Sequence, residues 1–249
     1  MFFTPLEQFE ILLVLPLNFL QLFDISITNM VFYIGLVSFT LFAFFWFTVV
    51  FNPEFIPIRL QLLAELLYGF VLGLVKQQAG PKAVKYFPLF IFLFVFILFS
   101  NLMGLVPFSF TVTSHFAVTF ALALSINVGL IFVGFTHNGL RFLKLFVPSG
   151  VPAWLLPLIV LIEFFSYLIR TFSLSVRLFR NMTAGHTLLH MITSFSLLFF
   201  KSNAYLFFLF SAILTLAILI LEFGIAFIQA YVFVILAAIY LNDSLNPGH

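Results

Sequence analysis

The chain has 249 residues, 64% of them hydrophobic and only 7% charged, and its formal net charge is +2. A soluble domain carries about 25% charged residues, so this composition cannot supply a soluble exterior and implies a membrane protein. Forty-one phenylalanines and no cysteine exclude a disulfide framework and a thiolate metal site.

With so few charges, the place of each one is informative. The opening MFFTPLEQFEILLVLP has no basic residue and carries Glu7 and Glu10, so no cleaved export signal is expected. A hydrocarbon layer of about 30 Å requires about 20 apolar residues of helix, and the chain divides on that ruler. The first run, 28–51, is uncharged and is stopped at NPEFIP by Pro53 and Pro57. Segment 59–79 contains Arg59, Glu65 and Lys76 among leucines at helical spacing, and Lys82 and Lys85 follow it. It predicts an amphipathic helix near the membrane surface, ending at Gly80-Pro81; a tilted span with snorkelling ends is the alternative. Spans are expected over 88–106 and 115–136, joined by the short uncharged PFSFTVTS. The linker HNGLRFLKLFVPSGVP then brings Arg141 and Lys144. By the positive-inside rule the basic segments share one face and the N-terminus lies on the other.

The last two runs, 154–200 and 203–241, have no proline after Pro157. As helices they would be roughly 60 to 70 Å long, about twice the hydrocarbon thickness. Each is either a broken pair of short spans or one arm of a tilted hairpin turning at KSN, residues 201–203. Neither run has a Gly-Pro break, and both carry interior polar residues, which favours the hairpin. The expected fold is one all-α integral membrane domain over 1–249: upright transmembrane helices, an amphipathic helix, and a hairpin of two long, strongly tilted helices.

Ionisable residues inside a membrane span are expensive and mark candidate sites. Glu163, Ser166, Arg170, Ser173, Arg177 and Asn181 recur at spacings of three and four. At 100° per residue all lie within about 40° of Arg177, forming one polar stripe. The stripe could bind a neighbouring helix, with Arg177 paired to a carboxylate as structural glue. Against that, three arginines within eleven residues have only Glu163 nearby, so the stripe is short of counter-charge. His186 and His190 add titratable groups on the opposite face.

In the last run Glu222, Gln229 and Asp243 fall at multiples of seven and share a side, because seven residues return a helix to within about 20°. Asp243 could equally belong to a solvated tail, NDSLNPGH. Topology places Glu163 and Asp243 towards the basic face, and His186 and Glu222 deeper or towards the other. Arg177 then lies between two polar paths. An arginine does not release its proton at working pH, whereas histidine and carboxylates pass protons on.

The stretches PLEQFEI, FSNLMGLVPFSFTVTSHFAVTF, IEFFSYLIRTFSLSVRLFRNMTAGH and LEFGIAFIQAYVFVILAAIYLND together closely resemble the a-subunit family of rotary F-type ATP synthases, in its mitochondrial form. The resemblance implies a non-catalytic stator subunit whose two long tilted helices wrap a ring of c subunits. Arg177 matches the family's essential arginine facing the ring carboxylate. His186 and Glu222 match one half-channel, on the intermembrane-space side, and Glu163 with Asp243 the matrix half-channel. Asn181, Gln229 and Ser173 match supporting polar positions. The implied location is the mitochondrial inner membrane, with many spans. Its implied partners are the c-ring, the peripheral stalk, other membrane subunits and lipids, with no nucleic acid, no cofactor and no metal. Two positions depart from the family: Thr171 where proline is usual, and Arg180 where a small residue is usual. Arg180 could reach lipid headgroups, pair with another subunit or line a channel, and neither Arg170 nor His190 receives a role.

No GxxxxGK[ST] phosphate loop is present, so no nucleotide chemistry is expected of this chain. A secondary transporter would need a midplane pocket with broken helices or inverted repeats, and neither is found. A purely structural membrane subunit would leave the stripe around Arg177 without a purpose. Whether protons or sodium ions are carried is not written in the residues.

Overall fold

The computed structural model describes residues 9–15, 18–19, 23–24, 27–51, 59–106, 109–147 and 154–246. The NPEFIP turn and Glu7 lie outside them. Apolar runs without water-exposed backbone form helix because helix satisfies every backbone N–H and C=O internally. Six α-helices result among the described residues: α1 (Asn29–Phe45), α2 (Arg59–Ala79), α3 (Phe87–Gly104), α4 (Phe116–Asn138), α5 (Leu156–Lys201) and α6 (Tyr205–Leu245). Each is long and apolar enough to cross a membrane, so the chain is an all-α, multi-pass membrane protein. α2 is the least apolar, with a mean hydropathy of 1.3 against 2.6 for α6.

Four short strands precede α1 and were not foreseen in the sequence: β1 (Leu13–Leu15), β2 (Asn18–Phe19), β3 (Phe23–Asp24) and β4 (Ile27–Thr28). They form two antiparallel pairs, β1 with β4 and β2 with β3. Thr28 caps α1 by accepting from the Val31 N–H at 3.5 Å. α1 continues into a π-helical turn, Trp46–Phe51.

α5 and α6 are unbroken over 46 and 41 residues. The KSN turn joins them. Asn203 takes the left-handed conformation, φ 57°, and the Ala204 N–H returns to the Phe199 carbonyl at 3.1 Å. This is how a helix ends on a left-handed residue, and asparagine tolerates it where most side chains do not.

The chain forms two compact units. The first comprises Met1–Trp46, Phe96–His115 and Leu178–Gln229. In it the C-terminal part of α5 runs antiparallel to the start of α6, with Phe199 on Phe207 and Phe200 on Phe208 at ring separations of 5.7 and 5.3 Å. Asn101, fully buried on α3, donates to the Ala226 carbonyl of α6 at 3.4 Å and accepts from Thr113 at 2.9 Å.

The second unit comprises Phe47–Val95, Phe116–Arg177 and Ala230–His249. Its core sets Phe70 of α2 against Phe94 and Tyr231. Asn138, at the end of α4, donates to the Ser244 and Leu245 carbonyls at 2.8 and 3.1 Å, satisfying the last turn of α6. The 3-10 segment Gly139–Phe146 folds back so that Phe142, 1% exposed, lies against Gly134 of α4.

A side chain at Gly134 would enter the Phe142 ring, whereas one at Gly129 would meet nothing within 4 Å. Gly134→Ala is therefore expected to destabilise by about 1 to 3 kcal/mol, seen as a lowered thermal midpoint in mild detergent. Gly129→Ala should match or slightly exceed the parent.

Candidate functional site

The stripe on α5 divides between the two units, and each part gathers partners from other helices. In the second unit, Arg170 stands between two carboxylates. Its Nη2 lies 3.7 Å from Glu163 Oε1 and its Nη1 donates to Asp243 Oδ2 at 3.4 Å. The guanidinium also sits over the Tyr240 ring, 5.7 Å from its centroid. Glu163 and Arg170 are seven residues apart on α5, while Asp243 arrives from α6. All three side chains are between 35% and 39% exposed, so the cluster is open on one side. Asp243 is thus inside the last turns of α6 and ion-paired, not in a solvated tail.

Two further hydrogen bonds hold this part of α5. Asn127 of α4 donates to the Thr171 hydroxyl at 2.5 Å, and the hydroxyls of Thr119 and Ser175 meet at 3.2 Å. The Thr171 hydroxyl gives α4 a polar anchor that a proline could not offer. Ser173 is exposed.

In the first unit, Asn181, Met182, Gly185 and His186 of α5 line a small cavity with Leu105, Glu222 and Ile225. Its volume of about 10 Å³ is on the order of one water. Glu222 is 6% exposed, and neither carboxyl oxygen has a hydrogen-bond partner among the described residues. The same holds for His186 Nε2. Asn181 donates to Gln229 Oε1 at 2.8 Å, tying α5 to α6 beside the cavity, and leaves Gln229 Nε2 without a partner. His190 does not line the cavity.

Two glycines make this space. A Cβ at Gly185 would lie 2.5 Å from Glu222 Oε1, and one at Gly104 would lie 3.3 Å from His186 Nε2 and 2.7 Å from Thr111 Cγ2. Any larger residue at 185 would occupy the place of the carboxylate. Neither glycine was singled out in the sequence, although a glycine next to His186 in AGH was the available signal. Asn101, a polar residue within an apolar run, was likewise passed over.

Arg177 differs from both groups. It is exposed and makes no hydrogen bond or ion pair with any described residue. Among the described residues no three His, Asp or Glu side chains gather as a metal site would require.

The chain as a whole has relatives among known proteins. The family described as ATP synthase A chain matches residues 29–242. The chain belongs to the ATP synthase A chain family. It is similar to the ATP synthase subunit a of Acanthamoeba castellanii, 48% identical over 252 residues and covering 100% of both chains. The ATP synthase subunit a of Pelagibacter ubique (strain HTCC1062) is 47% identical over 246 residues, covering 99% of both. The matched residues 29–242 include Glu163, Arg170, Arg177, His186 and Glu222, and Asp243 lies one residue beyond them.

Arg170→Leu strands two carboxylates and is expected to lower the thermal midpoint of the protein in detergent. Adding Asp243→Asn should recover part of the loss, because one stranded charge is then removed. Strictly additive effects of the two substitutions would show that the ion pair carries no coupling.

Proposed function

We propose that this chain is the proton-translocating stator subunit of an F-type ATP synthase, forming two offset half-channels against a rotating ring of c subunits. The observation that carries this reading is Arg177, an exposed cation in the middle of a 46-residue apolar helix with no counter-charge among the described residues. A charge so placed requires an anion from outside the chain. A carboxylate carried by each ring subunit meets that requirement.

In this reading a proton enters through His186 and Glu222, around the cavity beside Asn181 and Gln229. It neutralises a ring carboxylate, which can then leave the guanidinium and cross lipid, since a neutral acid is far cheaper to bury than a carboxylate. After rotation the acid meets Glu163 and Asp243 and gives up its proton there. Arg177 keeps its own proton throughout, because a guanidinium does not release one inside a protein, so it attracts the ring carboxylate while closing a direct path between the two groups. Ser173 supplies a polar neighbour one turn before it. The chain carries no nucleotide chemistry; synthesis belongs to the complex. The proposed setting is the mitochondrial inner membrane, where the peripheral stalk, other membrane subunits and lipids complete the surroundings.

Arg177→Ala in the assembled complex, reconstituted in sealed vesicles, should abolish proton-driven ATP synthesis while passive proton leak rises. Normal synthesis would refute the reading. Glu222→Gln should slow proton uptake more than release, followed as separate responses to the pH on each side. If the variant subunit is missing from purified complexes, Glu222 acts in assembly instead.

A further inference from the structure

Arg180 is the cation of α5 that the mechanism above does not use. Around positions 174–182 burial marks one packed side of the helix. Counting about 100° per residue from Arg177, the buried Leu174, Ser175, Leu178 and Met182 fall between about 60° and 160°. The exposed Ile169, Ser173, Ala184, Met191, Phe195 and Leu198 fall between about −80° and 0°. Arg180, at about −60°, lies within this second seam. It is exposed and makes no hydrogen bond or ion pair with a described residue.

More than about 30 Å of helix separates Arg180 from either end of α5, beyond the reach of its own stem. Its companions on the seam include no acid, the polar ones being Ser166, Ser173, Arg177 and Thr187, so hydrocarbon alone would leave it without a counter-charge. Whatever covers the seam must bring negative charge to both arginines. Of the titratable groups on the neighbouring turns, Arg177 shares the seam, while His186 of α5 and Glu222 of α6 line the cavity between those two helices.

We propose that Arg180 is a second positioning cation for the ring carboxylate, meeting it on the His186 side of Arg177. This rests on the function proposed above. The two residues are three positions, or about 4.5 Å, apart along the helix axis. Together they lengthen the stretch over which the carboxylate stays ionised before it accepts a proton. A nearby cation favours the ionised acid. Protonation from the His186 and Glu222 side therefore requires a more acidic compartment than Arg177 alone would demand.

The test is proton-driven ATP synthesis by the reconstituted complex, with the pH varied on the uptake side and held fixed on the other. In Arg180→Gly the half-maximal uptake-side pH should move upward by about 0.5 to 1 unit, and Arg180→Lys should stay near the parent. An unchanged profile in the glycine variant overturns the proposal, and loss of bound anionic phospholipid with that unchanged profile assigns Arg180 to lipid. If the glycine variant does not assemble, Arg180→Cys decides. Oxidative cross-linking to a cysteine placed beside the ring carboxylate supports the proposal, whereas no cross-link from 180 under conditions where Ser173→Cys links overturns it. Loss of synthesis in Arg177→Ala with no shift in Arg180→Gly defeats this inference alone; normal synthesis in Arg177→Ala defeats the function it rests on.

Discussion

A charge in hydrocarbon must be paired, neutral or turned towards a partner, and α5 and α6 contain each of these arrangements. Arg170 is paired, with Glu163 on its own helix and Asp243 on α6. Glu222 is enclosed with His186 around a space the size of a water. Arg177 and Arg180 are exposed and make no ion pair with a described residue. The rest of each unit holds its own part of α5 and α6 in place. It does so with buried amide and hydroxyl contacts such as Asn101 to Ala226 and Asn127 to Thr171, because in an apolar interior such bonds are costly to leave unmade.

Hydropathy made the helices legible, since the length of an apolar run maps directly onto helix length in a membrane. The last helix runs over Tyr205–Leu245, and the chain turns ahead of it at Ser202 and Asn203. The polar stripe was legible for the same reason, because helical angle follows from residue number. What spacing cannot report is which distant helix comes alongside. Arg170 and Asp243 are 73 residues apart, and only the return of α6 shows that one guanidinium serves both Glu163 and Asp243. The short β1–β4 and β2–β3 pairs were hidden because two or three residues leave no readable alternation.

The glycines illustrate another limit. In sequence, Gly104 and Gly185 resemble any small residues of an apolar helix, where close approach of backbones is common. Their use emerges only when the opposing atoms are known: a carboxyl oxygen for one, an imidazole nitrogen and a threonine methyl for the other. The missing side chains are the volume in which Glu222 and His186 sit. Size at these two positions is therefore set by the chemistry of their neighbours and not by helix propensity, which disfavours glycine.

The cluster at Arg170 has a stoichiometry of its own. Two acids share one base that never discharges, so with both acids ionised the group holds one negative charge in excess. Taking up a single proton makes it neutral while one ion pair remains intact; taking up a second would break that pair and leave a bare cation. Charge balance in this group is thus reached at one bound proton, a number fixed by two carboxyl groups around a single guanidinium.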